Sequence, residues 1–230
     1  MTGRFVDIAG HPTWVEERGA GAETILLLHG GLGRSDELLD SLGPHLQARY
    51  RLVAFDRRGH GQTADDGEPF HYARMAEETR AAITTLGLAP VHIVGYSDGG
   101  IIALLLAMSH PQLLRRAVLI GANFHHTGFR GATSTDAAAS YAPPDAGAGV
   151  AARVMHMWRT EPTLTPADLA TAHAPVLVMA ADRDAITPAH TVAMFEALPD
   201  AQLAIVPGAT HNLPVEKPAL VAQLICHFLS

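Results

Sequence analysis

Short apolar runs alternate along this chain with longer stretches in which apolar positions recur every three or four residues. That alternation predicts strands interleaved with helices, the layout of a mostly parallel sheet with helices on its faces. Phe5 to Ala9 and Thr13 to Glu17 read as an N-terminal hairpin turning at Gly10-His11-Pro12. Thr24-Ile25-Leu26-Leu27-Leu28 is continuously apolar, as a central parallel strand buried on both faces must be. Further strands are expected at Arg51 to Phe55, Val91 to Val94, Arg116 to Ile120, Pro175 to Met179 and Leu203 to Val206. Helices are expected after Ser35, which is placed to cap one, and over Tyr72 to Leu86, with Met75, Ile83 and Leu86 at helical spacing. Others follow over Gly100 to Met108, from Thr187-Pro188 onward, and over Pro218 to Leu229.

The pattern breaks between Ala122 and Ala174, where Gly, Ala, Ser, Thr, Pro and His dominate. Two modest helices are predicted inside this stretch. Gly149 to Thr160 places Val150, Val154, Met157 and Trp158 on one face, and Thr165-Pro166-Ala167-Asp168 has the form of a capping box with proline in the first turn. With no internal repeat and no long linker, residues 1–230 read as a single α/β domain carrying an insertion at 122–174.

One junction carries chemistry. Gly95-Tyr96-Ser97-Asp98-Gly99 lies between a buried strand and an apolar helix. Glycines two positions either side of Ser97 leave room for a sharp corner that holds the serine in a strained conformation with its hydroxyl above the sheet. A serine hydroxyl is a weak nucleophile near neutral pH and needs a base, usually a histidine oriented by a carboxylate. The loops after two later strands offer both: Asp182 and Asp184 after Met179, and His211 after Val206. Residues just past the carboxyl ends of parallel strands gather along one edge of the sheet, so these groups can converge with Ser97.

In its motifs the chain resembles the α/β-hydrolase-fold serine hydrolases, nearest to esterases and aminoacyl-ester (valacyclovir-hydrolase-like) hydrolases. The motifs are His29-Gly30-Gly31 after one central strand, Asp56-Arg57-Arg58-Gly59-His60-Gly61 after the next, the Ser97 elbow, and the Asp184 and His211 loops in that chain order. The family places its acid four residues before a proline, which selects Asp184, before Pro188, over Asp182. Ala181 and Thr210 depart from the glycines that the family carries three residues before the acid and just before the histidine. The resemblance implies Ser97 as nucleophile, His211 as base, Asp184 as orienting acid, and the backbone N–H groups of Gly31 and Asp98 as the oxyanion hole. His29 is expected to support that loop by hydrogen bonding, and Arg57 and Arg58 to be structural. A serine at the elbow excludes the relatives that use aspartate there.

The implied reaction is hydrolysis of a small carboxylic ester through an acyl-enzyme, without metal or organic cofactor. Carbon–carbon bond hydrolases, lactonases and perhydrolases use the same triad, and a hydrolase-fold protein that binds a small molecule without turnover is a different class with the same sequence signature. Asp98, directly after the nucleophile, has two readings: it holds the ammonium of an α-amino acid ester, or it bonds loop and insertion groups at the helix N-terminus. The insertion lies where relatives carry a lid and is short for a full helical cap. Phe124, Met157 and Trp158 are its candidate substrate contacts, with Phe129, Tyr141 and Met155 beside them.

Composition narrows this further. At 48% hydrophobic and 17% charged, the chain is built for a compact body rather than disorder. A net charge of −7 argues against a nucleic-acid partner. The one cysteine, Cys226, leaves no intrachain disulfide and is expected to be inert packing. With neither a signal-peptide layout at the start nor an apolar run long enough for a bilayer, no membrane association and a cytoplasmic location are expected. His125-His126 and His156 lack the compact spacing of a metal site.

Overall fold

The computed structural model describes residues 2–131, 144 and 147–230. Its strands in chain order are β1 (Thr2–Ile8), β2 (His11–Arg18), β3 (Glu23–Leu28), β4 (Tyr50–Phe55), β5 (Val91–Tyr96), β6 (Leu114–Ile120), β7 (Val176–Arg183) and β8 (Ala201–Thr210). All belong to one sheet, ordered β1-β2-β4-β3-β5-β6-β7-β8. The first two strands and the β2–β4 pair are antiparallel; every other neighbour is parallel.

The apolar runs form strands because each lies between two cores, and the two-residue period of a strand feeds both. Leu26 and Leu28 enter one core while Ile25 and Leu27 enter the other. Helices α1 (Ser35–Ser41) and α2 (Gly43–Leu46) close the second face. Helices α3 (Tyr72–Thr85), α4 (Asp98–Ser109), α5 (Val150–Thr160), α6 (Pro166–Leu169) and α7 (Pro188–Ala197) bury residues in the first. The short α8 (Leu213–Glu216) and the closing α9 (Pro218–Leu229) complete the second. Among the described residues no helix is long and apolar enough to cross a membrane.

Two local expectations are corrected. The hairpin turns at Ala9-Gly10, both at positive φ (54° and 83°), with Ile8 opposite His11. A two-residue turn of that hand matches the twist of the strands, so His11 and Pro12 are drawn into β2. Ser35 does not cap α1. It is already the first helical residue; its hydroxyl donates to Glu16, and its backbone N–H is met by Asp56 Oδ1 at 2.7 Å. Asp56 Oδ2 also accepts the Gln62 N–H at 2.7 Å, so one buried carboxylate ties α1 to the loop after β4. The Thr165–Asp168 capping box is present as expected.

Asp56→Ala leaves two backbone donors without this acceptor and is expected to lower the unfolding free energy by about 2–3 kcal/mol, measured by urea denaturation; an unchanged midpoint contradicts this account. A second expectation concerns pH. Burial, then the charge of Arg57, lowers His60 to about 4, and burial, then His125, lowers His190 to about 4. Burial first, then Arg57 and His60, puts His29 well below the usual histidine value. In the unfolded chain these rings titrate near 6.5. Their contribution to stability is therefore complete above that value and falls as pH drops towards 4, where the unfolded chain binds protons that the folded chain refuses. The urea midpoint is expected to fall between pH 7.5 and 5, less steeply in His190→Gln; a flat midpoint contradicts this.

Candidate active site

β5 ends at Tyr96 and α4 begins at Asp98, which leaves a single residue for the corner. Ser97 makes it with φ 53° and ψ −115°, a conformation that costs a side-chain-bearing residue on the order of 1–3 kcal/mol. Its surroundings leave no alternative. The Ser97 N–H donates to the Ile120 carbonyl at 2.8 Å, and its own carbonyl accepts from Gly100 and Ile101 at 2.9 and 3.1 Å. A Cβ on Gly95 would stand 2.1 Å from the Gly99 carbonyl oxygen, and one on Gly99 would stand 2.2 Å from that of Leu28. Only glycine fits either position.

The structure brings Ser97, His211 and Asp184 together. Ser97 Oγ lies 3.1 Å from His211 Nε2, and His211 Nδ1 lies 2.6 Å from Asp184 Oδ1. An ionised carboxylate only accepts, so Nδ1 carries the ring proton and Nε2 is left to accept from the serine hydroxyl. Asp184 is buried, which by itself raises its pKa. The hydrogen bond and charge of His211, with the N–H groups of Ile186 and Ala181, outweigh this and hold the carboxyl below its usual range. Asp182 lies elsewhere: it is exposed and accepts from the Gly208 and Ala209 N–H groups. Thr210, where the family has glycine, spends its hydroxyl and N–H on Glu216. Beneath the ring, Gly121 at φ 61° approaches so closely that a Cβ would be 3.0 Å from His211 Cε1.

The loop after β3 is held from behind. Gly30 O accepts from His29 Nδ1 at 2.7 Å, Arg57 Nη2 at 2.9 Å and the Gly33 N–H at 3.2 Å. His29 Nε2 in turn accepts the Arg57 N–H, and Arg57 Nη1 donates to His29 O at 2.6 Å. Gly30 O and the Gly31 N–H belong to one planar trans peptide, so donors gripping the oxygen fix the direction of the N–H. The Asp98 N–H is fixed likewise, because its peptide oxygen is the Ser97 carbonyl held by the first turn of α4. As the first helical residue, Asp98 has no acceptor for that N–H within the helix.

The Asp98 side chain turns to other partners. Its buried carboxylate accepts from Tyr72 Oη at 2.8 Å and from Trp158 Nε1 at 2.9 and 3.1 Å. Burial raises its pKa, and the nearby Arg57 charge with the Trp158 and Tyr72 hydrogen bonds does not cancel that rise. These partners come from α3 and from α5 in the insertion. Of the other pocket candidates, Met157 is packed inside the first core and Phe124 is buried with its ring stacked on His190 at 4.0 Å. Met155 is exposed, Phe129 is half-buried, and Tyr141 lies outside the described residues. No group of three or more His, Cys, Asp or Glu gathers as a metal site among the described residues.

Arg57 has the structural role expected of it, as the clamp on His29 O and Gly30 O, whereas Tyr72 as a partner of Asp98 has no counterpart in the sequence analysis. The Asp56-Arg57-Arg58-Gly59 motif marked Arg57 without its target, and nothing local marks Tyr72, which arrives from α3.

Known proteins agree with this architecture. The family model described as alpha/beta hydrolase fold matches residues 23–130, and one described as TAP-like protein matches residues 143–230. The chain is 35% identical over 117 residues to the dihydrolipoyllysine-residue acetyltransferase component of the acetoin cleaving system of Cupriavidus necator, covering 51% of this chain and 31% of that protein. It is 33% identical over 136 residues to serine hydrolase BPHL of Mus musculus, covering 55% and 45%. These matches thus span less than half the length of the curated relatives. An enol-lactonase from Burkholderia xenovorans LB400 superposes with a TM-score of 0.80 at 17% identity, covering 98% of this chain and 99% of that one. The chain has the α/β hydrolase fold, and its sequence is similar to hydrolase-fold family models over residues 23–130 and 143–230.

Proposed function

We propose that this protein is a serine hydrolase that cleaves small carboxylic esters through an acyl-enzyme. The observation that carries the reading is the unbroken path from Ser97 Oγ through His211 to Asp184, at 3.1 and 2.6 Å. His211 Nε2 takes the hydroxyl proton as Ser97 Oγ attacks the ester carbonyl, and Asp184 stabilises the imidazolium that forms. Charge developing on the carbonyl oxygen is met by the Gly31 and Asp98 N–H groups, each worth about 2.7–4 kcal/mol of transition-state stabilisation in comparable sites. Collapse of the tetrahedral intermediate expels the alcohol, which collects its proton from His211. Water, deprotonated by the same ring, then releases the acid and restores Ser97.

Helix α5 serves as a short lid, its Trp158 reaching the carboxylate beside the nucleophile.

Hydrolysis of p-nitrophenyl acetate by the purified protein tests this. Ser97→Ala is expected to reduce kcat by at least ~10³-fold and Asp184→Asn by ~10⁴-fold, as loss of the correct tautomer does elsewhere. Asp182→Asn, outside the triad, is expected to stay close to wild type. Turnover that survives in Ser97→Ala contradicts the proposal.

A further inference from the structure

Asp98 directly follows the proposed nucleophile in the chain, and the availability of its carboxylate decides whether a cationic substrate group can be held there. Three observations bear on it. Asp98 is 2% exposed, so any ligand must reach its carboxylate through its neighbours. Both oxygens are engaged: Oδ1 by Tyr72 Oη and Trp158 Nε1, and Oδ2 by Trp158 Nε1 again. The Trp158 ring also lies against the loop that carries one proposed oxyanion donor, since a Cβ on Gly31 would stand 2.4 Å from Trp158 Cζ2 and 2.5 Å from Asp98 Oδ2. Gly31, Asp98 and Trp158 therefore occupy one packed corner of the site.

We infer that Trp158 is a specificity-determining residue that locks Asp98 away from the substrate, so that the enzyme acts on esters with an uncharged acyl group and discriminates against α-ammonium esters. The inference rests on Ser97 being the nucleophile. Tyr72 holds the far side of Asp98 from α3, and Trp158 covers it from α5, so the lid segment and not the elbow sets the charge preference. An α-ammonium group brought next to Ser97 meets an indole N–H that already donates to the anion it needs. To bind, it must displace that donor and break the packing of the ring on Gly31. An uncharged group of the same shape requires neither.

The test is a ratio measured on each protein with two esters of nearly equal shape, benzyl isobutyrate and benzyl L-alaninate, which differ in a methyl against an ammonium. In wild type, kcat/KM is expected to favour the isobutyrate by on the order of tenfold or more, as unpaired polar groups cost in specificity. Trp158→Phe, which keeps a ring and removes the N–H donor, and Trp158→Ala, which also opens the corner, are expected to shift the ratio towards the alaninate, by about tenfold in the second. Adding Asp98→Asn to Trp158→Ala is expected to abolish that gain. Because each ratio comes from one preparation, partial misfolding of a variant cancels. A wild type that prefers the alaninate and loses that preference in Asp98→Asn overturns the inference. So do ratios that move in neither Trp158 variant. If the wild-type turnover of both esters survives in Ser97→Ala, the nucleophile assignment itself is what fails.

Discussion

The site depends on one backbone constraint: Ser97 must turn the chain from strand to helix within a single residue, at φ 53°. The strain is not relieved locally, because the chain on either side is pressed against neighbouring carbonyls through Gly95 and Gly99. It is held by the sheet, through Ile120, and by the first turn of α4. The cohesion that sustains it comes from two cores on opposite sheet faces, which leave β5 no freedom to shift. A strained serine supported by a large apolar body is how the fold holds the proposed nucleophile. His211 and Asp184 then need only emerge from the ends of β8 and β7, already directed to the same edge.

The polar groups around the elbow share one logic. Each backbone N–H proposed to receive charge has its peptide oxygen restrained from the other side, Gly31 through Gly30 O and Asp98 through Ser97 O. Arg57 is central to this, since one buried guanidinium holds two successive carbonyls, those of His29 and Gly30. Donors fixed before the reaction begins have no reorganisation to undergo when charge appears, which is what makes such sites effective. His29 contributes as a neutral ring that donates through Nδ1 and accepts through Nε2, consistent with a pKa held well below the usual value.

The alternation of strands and helices, the elbow and the convergence of Ser97, Asp184 and His211 were legible because each follows from local pattern plus one topological rule: parallel strand ends share an edge. Asp184 was separable from Asp182 only by resemblance, and the reason is now physical. Asp182 faces the backbone of the neighbouring strand at Gly208 and Ala209, whereas Asp184 lies past the end of β7 beside His211. What local pattern did not show came from distant elements. Asp56 takes the capping position that Ser35 was expected to fill, and Tyr72 approaches Asp98 from a helix 26 positions earlier. Met157 illustrates the remaining difficulty: on an amphipathic helix, sequence alone does not tell a cleft-facing apolar side chain from one that joins the core.

Covalent labelling reads out whether Ser97 is an activated nucleophile. The protein is exposed to a fluorophosphonate at neutral pH, and the modified residue is located by peptide mass spectrometry. One phosphonyl group per chain, on Ser97, is expected, with labelling greatly slowed in His211→Ala. A folded protein that takes no label, or takes it on another residue, contradicts the account.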